Sequence, residues 1–290
     1  MIQGATGQLT PAHMAPTPIP ITSIGDPRIA VYRNLKDRDL SREGGGRFIA
    51  EGELVVRRLL ESDFACESVL LATRRVAEIA PLVPPHVPIF AGPAEVVHEV
   101  VGFKFHAGVM AVGVRKPSLA VEQLASTWGE SDRVTLVVCP ELSNTENLGS
   151  LIRIAAGFGA TAMVLGRHCC DPFYRQSVRV SMGTIFRLPI VQSKDLLADL
   201  KMLRERWGVK TIATVCRHDA EPLAGAGRPG RVAILFGNEA QGLGADYVGE
   251  CDRRVTIPMQ LGTDSLNVSV AAGIVMYHFT QLEVARASRL

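Results

Sequence analysis

An α/β protein in two parts is what this chain of 290 residues predicts, and three observations carry the prediction. Apolar runs of strand length alternate with amphipathic runs of helix length along most of the chain. The alternation breaks once, at Lys116-Pro117-Ser118 and the weakly amphipathic stretch that follows. Strands of the second half, led by VTLVVC at 134–139, are apolar on both faces, as strands of a parallel sheet covered on both sides must be. The expected organisation is a flexible Pro/Thr-rich tail at 1–25, a small α/β domain at 26–115, a linker at 116–131 and a larger parallel-sheet domain at 132–290.

In the first part, 29–42 reads as a polar helix stopped by Gly44-Gly45-Gly46. A strand at 48–50 and an amphipathic helix at 52–60 (GELVVRRLL) come next. Strands at 68–72, 87–90 and 108–114 then alternate with helices at 75–82 and 93–101. The second part reads as strands at 134–139, 162–165, 211–215, 232–236 and 255–257, with helices at 148–158 and 196–207. Pro258 closes the last strand because it has no N–H to give a ladder. Thr263-Asp264-Ser265 offers N-caps for a final helix whose apolar residues, Val270, Ile274, Val275 and Phe279, recur at helical spacing. This unit either completes a core or holds a small ligand at the start of its helix, where unpaired backbone N–H groups face outward.

A hydrophobic content of 47% with 21% charged residues is that of a soluble globular protein, and no apolar run reaches membrane-spanning length. The first residues lack the basic start and unbroken apolar stretch of a secretion signal, so the expected location is cytoplasmic, with no membrane partner. Six scattered cysteines without a CxxC suit a reducing compartment, and no Cys/His cluster has ligand spacing, so no metal is expected. The net charge of +2 neither demands nor excludes nucleic acid. Its distribution is more telling, because Arg28, Arg33, Lys36, Arg38, Arg42 and Arg47 crowd together, with Arg57 and Arg58 soon after. Such a run is either a solvated face or a phosphate-contacting surface.

The ends of three strands carry unusual loops: ELSNTENLGS, GNEAQGLG and PMQLGTDSLN. Asn147 in the first is either an N-cap or a ligand-facing side chain; placed in the loop, it and Arg153 can reach a common pocket although six residues separate them. Arg153 lies in an apolar Leu-Ile-x-Ile-Ala-Ala stretch and needs an anionic partner or a solvent opening. The second loop, 237–244, is glycine-rich but lacks the P-loop Lys-Ser/Thr and the dinucleotide fingerprint, which argues against a nucleotide-dependent oxidoreductase on a Rossmann-type sheet. Glu239 in it is either a cap-like acceptor or the holder of an amine.

Taken together, NLGSLIR, LFGNEAQGL and IPMQLGTDSLNVSVAAGI resemble the three signature motifs of the SpoU/TrmH family of RNA 2′-O-ribose methyltransferases, in that family's order. GRFIAEGELVVRRLLES and FHAGVMAV resemble its substrate-binding module, an α/β/α sandwich that grips RNA. One departure is Glu141-Leu142-Ser143-Asn144-Thr145-Glu146, where family members often carry Asp-Pro before the asparagine. The resemblance implies a SPOUT domain whose C-terminal segment forms a trefoil knot, acting as a homodimer on rRNA or tRNA; the extra N-terminal module favours rRNA. It implies S-adenosylmethionine as cofactor, held by Gly237, Asn238, Glu239, Gly242, Ile257, Met259 and Leu266. Asn147, Arg153, Ser265 and Asn267 would be catalytic, Arg153 clamping the target phosphate because a guanidinium does not lose its proton. Arg28, Arg33, Arg47 and Arg153 are the expected RNA contacts. The alternative is a non-catalytic RNA-binding paralogue of the same fold.

Overall fold

The computed structural model describes residues 16–35, residue 40 and residues 46–282. Two sheets form. The first comprises β1 (Ile19–Pro20), β2 (Arg47–Glu51), β3 (Ala65–Ala72), β4 (Ile89–Gly92) and β5 (Val109–Val114), in the order β1-β4-β3-β5-β2. β1, β4 and β3 are parallel, and β5 runs antiparallel between β3 and β2. Alternation of side chains divides each strand between two cores. In β5, Val109 and Ala111 face one way while Met110 and Val112 face the other; in β2, Phe48 and Ala50 oppose Ile49. Met110, Val112 and Ile49 meet α3 (Ala94–Val101) and the 3₁₀ turns at Pro27–Tyr32, where the buried Tyr32 hydroxyl lies 2.8 Å from Ser68 Oγ. Phe48, Val69 and Leu71 lie in the opposite core with residues of α1 (Glu53–Leu60), α2 (Val76–Ile79) and the second half of the chain.

The second sheet is all parallel, ordered β10-β12-β9-β11-β6-β7-β8. Its strands are β6 (Val134–Cys139), β7 (Ala162–Leu165), β8 (Ile190–Gln192), β9 (Lys210–Thr214), β10 (Glu221–Pro222), β11 (Arg231–Leu235) and β12 (Arg253–Thr256). On one face, Leu136, Val138, Ala233 and Leu235 pack with α4 (Val121–Ser126) and α7 (Leu196–Trp207). On the other, Val137, Cys139, Val232 and Ile234 pack with α5 (Thr145–Gly157), α6 (Arg175–Val180) and α9 (Val268–Tyr277). A short α8 (Ala245–Glu250) precedes β12. The winding runs outward from β6 to β8 and then resumes on the other side of β6, so its direction reverses beside that strand. Ligands of open parallel sheets bind outside the carboxyl ends of strands at such a reversal.

One apolar core joins the two sheets. Phe48 and Phe64 meet Phe173 and Phe186 with ring centroids 5.0 to 5.8 Å apart. Glu51 on β2 accepts from Arg175 on α6 at 2.5 Å, and Arg115 after β5 donates to Asp171 at 2.8 Å. The boundary at 115/116 therefore changes sheet without leaving the core.

Several expectations are corrected. The tail does not extend to 25: Ile19 and Pro20 pair with Phe90 and Ala91, and Ile21 is 1% exposed. An edge strand tolerates the N–H that Pro20 lacks. The helix expected at 29–42 is, where described, a 3₁₀ segment with Ile29 off helical geometry (φ −108°) and Asn34 at φ 54°; Ile29 and Tyr32, three apart, share the face of such a turn. Lys36, Arg38, Arg42, Gly44 and Gly45 lie outside the described residues. The linker holds α4, whose Val121 and Leu124 are buried against the second sheet with Trp128.

Candidate functional site

Segments leaving β6, β9, β11 and β12 surround one open cavity of about 1040 Å³. The first enters α5 through Asn144, whose Oδ1 accepts from Glu146 N (2.8 Å) and Asn147 N (3.0 Å). Asn144 is thus the N-cap, and Asn147 in the first turn keeps its amide for the cavity. With Asn147 inside the helix, the expectation that it shares a pocket with Arg153 fails. Six residues along one α-helix place two side chains about 120° apart. Arg153 is exposed, does not line the cavity and has no partner among the described residues.

The second segment folds back on itself. Asn238 and Gly242 exchange backbone hydrogen bonds at 2.9 Å in both directions, and a Cβ on Gly237 would lie 2.2 Å from the Gly242 carbonyl carbon. Gly242 itself sits at φ +68°, where glycine carries no strain. The turn presents Glu239, whose Oε1 accepts from Asn147 Nδ2 (3.0 Å) and Asn144 N (3.3 Å), with Ser143 Oγ at 3.5 Å from its Oε2. The third segment turns at Leu261 and Gly262 (φ 56° and 70°), which carries the chain past Thr263-Asp264-Ser265 before the helix begins. Asn267, not one of those three, caps α9: its Oδ1 accepts from Ser269 N (2.9 Å). Its Nδ2 donates to Asn147 Oδ1 (3.1 Å).

A continuous array, Glu239–Asn147–Asn267, therefore ties the three segments together and orients both amides. Each amide nitrogen has a second N–H beyond the one spent in the array. Asp264 and Ser265 line the same cavity, as do Gly237, Asn238, Gly242 and Leu266. An apolar slot lined by Val215, Ile257, Met259, Leu266 and Val275 opens beside it, and Thr214, Val215, Cys216, Leu266 and Ala271 belong to both. Every sequence-predicted catalytic or cofactor residue except Arg153 thus borders the cavity or its slot.

Sequence reasoning missed Thr214-Val215-Cys216-Arg217, which follow β9 and form a fourth wall. Their signal was available: 211–215 reads as a strand, and its carboxyl end falls on the edge where parallel sheets bind ligands. Arg28, Arg33 and Arg47 lie away from the cavity and are engaged within the chain. Arg28 Nε bonds Asp26 Oδ1 at 2.9 Å, and that guanidinium holds the Asp26 carboxyl down at about 2. Arg33 Nη2 donates to Asp26 O (2.6 Å), and Arg47 Nε to Glu67 Oε2 (2.7 Å). Burial pushes the Cys139 thiol well up and those of Cys169 and Cys170 to about 12 and about 11. Among the described residues no group of His, Cys, Asp and Glu side chains is placed to hold a metal, and no helix is long and apolar enough to cross a membrane.

A wound parallel sheet with a polar cavity at its reversal, joined through one core to a small mixed sheet, defines a two-sheet α/β protein with a ligand site made of backbone turns and amides. Residues 134–277 match the SpoU rRNA Methylase family. An uncharacterized tRNA/rRNA methyltransferase of Mycobacterium tuberculosis is 36% identical over 264 residues, covering 88% of this chain and 89% of that protein. The 23S rRNA (guanosine-2′-O-)-methyltransferase RlmB of Acinetobacter baylyi is 31% identical over 62% of this chain and 72% of its own length. Among solved structures, the AdoMet-bound rRNA methyltransferase of Sinorhizobium meliloti superposes with a TM-score of 0.75 at 24% identity, over 94% of this chain and 98% of that one. The methyltransferase AviRb of Streptomyces viridochromogenes does so at 0.74 and 22%, over 89% and 98%; these two likenesses concern the fold. The chain belongs to the SpoU rRNA Methylase family and is an RNA methyltransferase of the SpoU/TrmH type.

Proposed function

We propose that the protein transfers the methyl group of S-adenosylmethionine to a ribose 2′-hydroxyl of structured RNA, ribosomal RNA in preference to transfer RNA. The observation that carries this reading is the Glu239–Asn147–Asn267 array, set between an apolar slot and a polar cavity. Two relatives lend support through their own descriptions: the Acinetobacter protein is a guanosine-2′-O enzyme of 23S rRNA, and the Sinorhizobium one is AdoMet-bound.

The residues fit such a cofactor. Val215, Ile257, Met259 and Leu266 offer apolar surface to an adenine, and the 237–242 turn offers backbone groups at close range. Glu239 and Asp264 place carboxylates around the cavity that a sulfonium cation would otherwise lack. Bound there, S-adenosylmethionine supplies a methyl group activated by positively charged sulfur. The chain then has to align a hydroxyl and let its proton leave. The second N–H groups of Asn147 and Asn267 orient the ribose oxygen, with Ser265 on the same wall. The proton passes to phosphate or water.

Arg153 clamps the phosphate of the target in the cavity of a neighbouring copy; its exposed place on α5, outside the lining of its own cavity, supports that reading. The homodimer forms along α9, whose Val270, Ile274 and Tyr277 are exposed. The trefoil knot belongs to the same reading, with 258–267 threaded against the 237–243 turn. The first domain, 26–115, holds the RNA, and the protein works in the cytoplasm. A complete array favours catalysis over the role of a non-catalytic paralogue.

The experiment is calorimetry with S-adenosylmethionine, followed by mapping of 2′-O-methyl sites in RNA from cells with and without the gene. Uptake of the cofactor and loss of one ribose methyl is the expected result. No uptake, or a methyl on a nucleobase nitrogen, overturns the reading.

A further inference from the structure

A second, shallower groove of about 450 Å³ adjoins the cavity, between the start of α5 (143–146) and the start of α6 (174–176). Ser143 and Asn144 line both hollows, so the two are continuous. On its far side Arg175 is ion-paired with Glu51 of β2 at 2.5 Å, and its guanidinium stacks on Phe103 at 4.6 Å. The groove thus lies on the way from the first sheet to the cavity, and a strand gripped by one and entering the other crosses it.

Its chemistry is specific. Tyr174 is half-buried, and among the described residues its hydroxyl has no hydrogen-bond partner and its ring no ring contact. Glu146 is exposed, with Oε1 held by Gln176 Nε2 at 2.6 Å and, among the described residues, no partner for its other oxygen. The Arg175 charge is paired with Glu51, and Arg179, outside the lining, donates to Gln176 Oε1 at 2.9 Å, so among the residues that line the groove Glu146 is the charge without an ionic partner. An aromatic face beside a fixed acceptor suits a neutral base with an exocyclic amine.

We propose that this groove holds the base of the nucleotide adjoining the methylated one, with Tyr174 as its stacking platform and Glu146 accepting from its exocyclic amine. This makes Tyr174 and Glu146 determinants of sequence context, selecting guanine, adenine or cytosine over uracil. The inference rests on the methyl-transfer reading above.

The test uses the full chain and an rRNA fragment spanning the mapped site. Tyr174→Ala lowers kcat/KM by about 5- to 140-fold, the range a lost base–aromatic stack gives, mostly through KM, and leaves the calorimetric Kd for S-adenosylmethionine unchanged. Tyr174→Phe recovers most of the loss. An abasic site at one neighbour of the target lowers the unaltered enzyme by a similar factor and lowers Tyr174→Ala no further. Glu146→Ala erases the preference for cytidine over uridine at that neighbour. Thermal melting confirms that each variant is folded. A Tyr174→Ala enzyme within twofold of the unaltered one, or abasic and Tyr174→Ala losses that multiply, overturns the groove assignment alone. Absence of methyl transfer to any RNA by the unaltered chain overturns the parent reading, and the groove falls with it.

Discussion

Asn147 is the residue through which the site is held together, because its two amide atoms face different segments: Nδ2 toward Glu239 and Oδ1 toward Asn267. Replacing the nitrogen with oxygen changes little in shape and much in charge. Asn147→Asp puts two carboxylates about 3 Å apart, and two such groups cannot both ionise cheaply, so one of them keeps a proton to higher pH. The variant is therefore expected to lose about 100-fold in methyl-transfer rate at pH 8, the scale of one preorganised donor removed, and to regain part of it near pH 6 as the pair takes up its shared proton. Asn147→Ala is expected to be impaired without that recovery, and pH–rate profiles of the two separate the cases. The thiols give a second residue-scale test. Cys66, Cys169, Cys170 and Cys251 are pushed by burial to between about 11 and about 12, and burial raises Cys139 well above the usual thiol value, so at pH 7.5 almost none of them is thiolate. Cys216 is the exposed one and lines both cavity and slot. Iodoacetamide is expected to label Cys216 first by mass spectrometry, and S-adenosylmethionine to slow that labelling. Equal labelling of Cys139 would contradict the burial described.

At the scale of elements, α5 decides where the chemistry sits. Asn144 satisfies two backbone N–H groups of its first turn and leaves Asn147 pointing outward. Asn144→Ala is expected to cost about 1 kcal/mol in urea unfolding, the worth of a lost N-cap, and to lower activity more than that figure alone suggests because the turn carrying Asn147 frays. A loss of stability with unchanged activity would separate the cap from the site. The same element shows what was legible in advance. The strands at 134–139 and 162–165 and the helix at 196–207 fall where their apolar runs place them, because each buries a pattern that is complete within its own sequence. α6 (RQSVRV) and β8 (IVQ) were not legible. α6 is fixed by α5 and β2, and β8 by pairing with β7, so tertiary partners supply what local propensity lacks. Of the site, the loops with distinctive side chains could be read, while the wall after β9 could not: Thr214 and Val215 matter through their place at the sheet's edge, not through residue type. Sequence alone allows Asn147 a place in the loop beside Arg153, but α5 already winds from Thr145 and separates the two side chains around its axis.

The whole molecule constrains how its parts can be tested. Phe48, Phe173 and Phe186 share one core across the two sheets, so removing 26–115 would uncover apolar surface of the catalytic part, and the first domain is not detachable without cost. The complementary question is whether one chain is enough. Val270, Ile274 and Tyr277 recur four and three residues apart along α9 and are 52%, 41% and 48% exposed, an apolar stripe of the kind a second copy covers. Arg153 stands exposed on α5, the helix that α9 packs against, and does not line its own cavity. If it serves the partner's cavity, Arg153→Ala and Asn267→Ala should each be nearly inactive alone, and their co-expressed mixture should not be. In a mixed dimer the cavity of the Arg153→Ala chain has its own Asn267 and receives Arg153 from the other chain, while the second cavity lacks both. Random pairing makes half the dimers mixed, each with one complete site, so about a quarter of the unaltered activity should return. Sedimentation checks that dimers form, and a mixture as inactive as its components would place Arg153 in the service of its own chain.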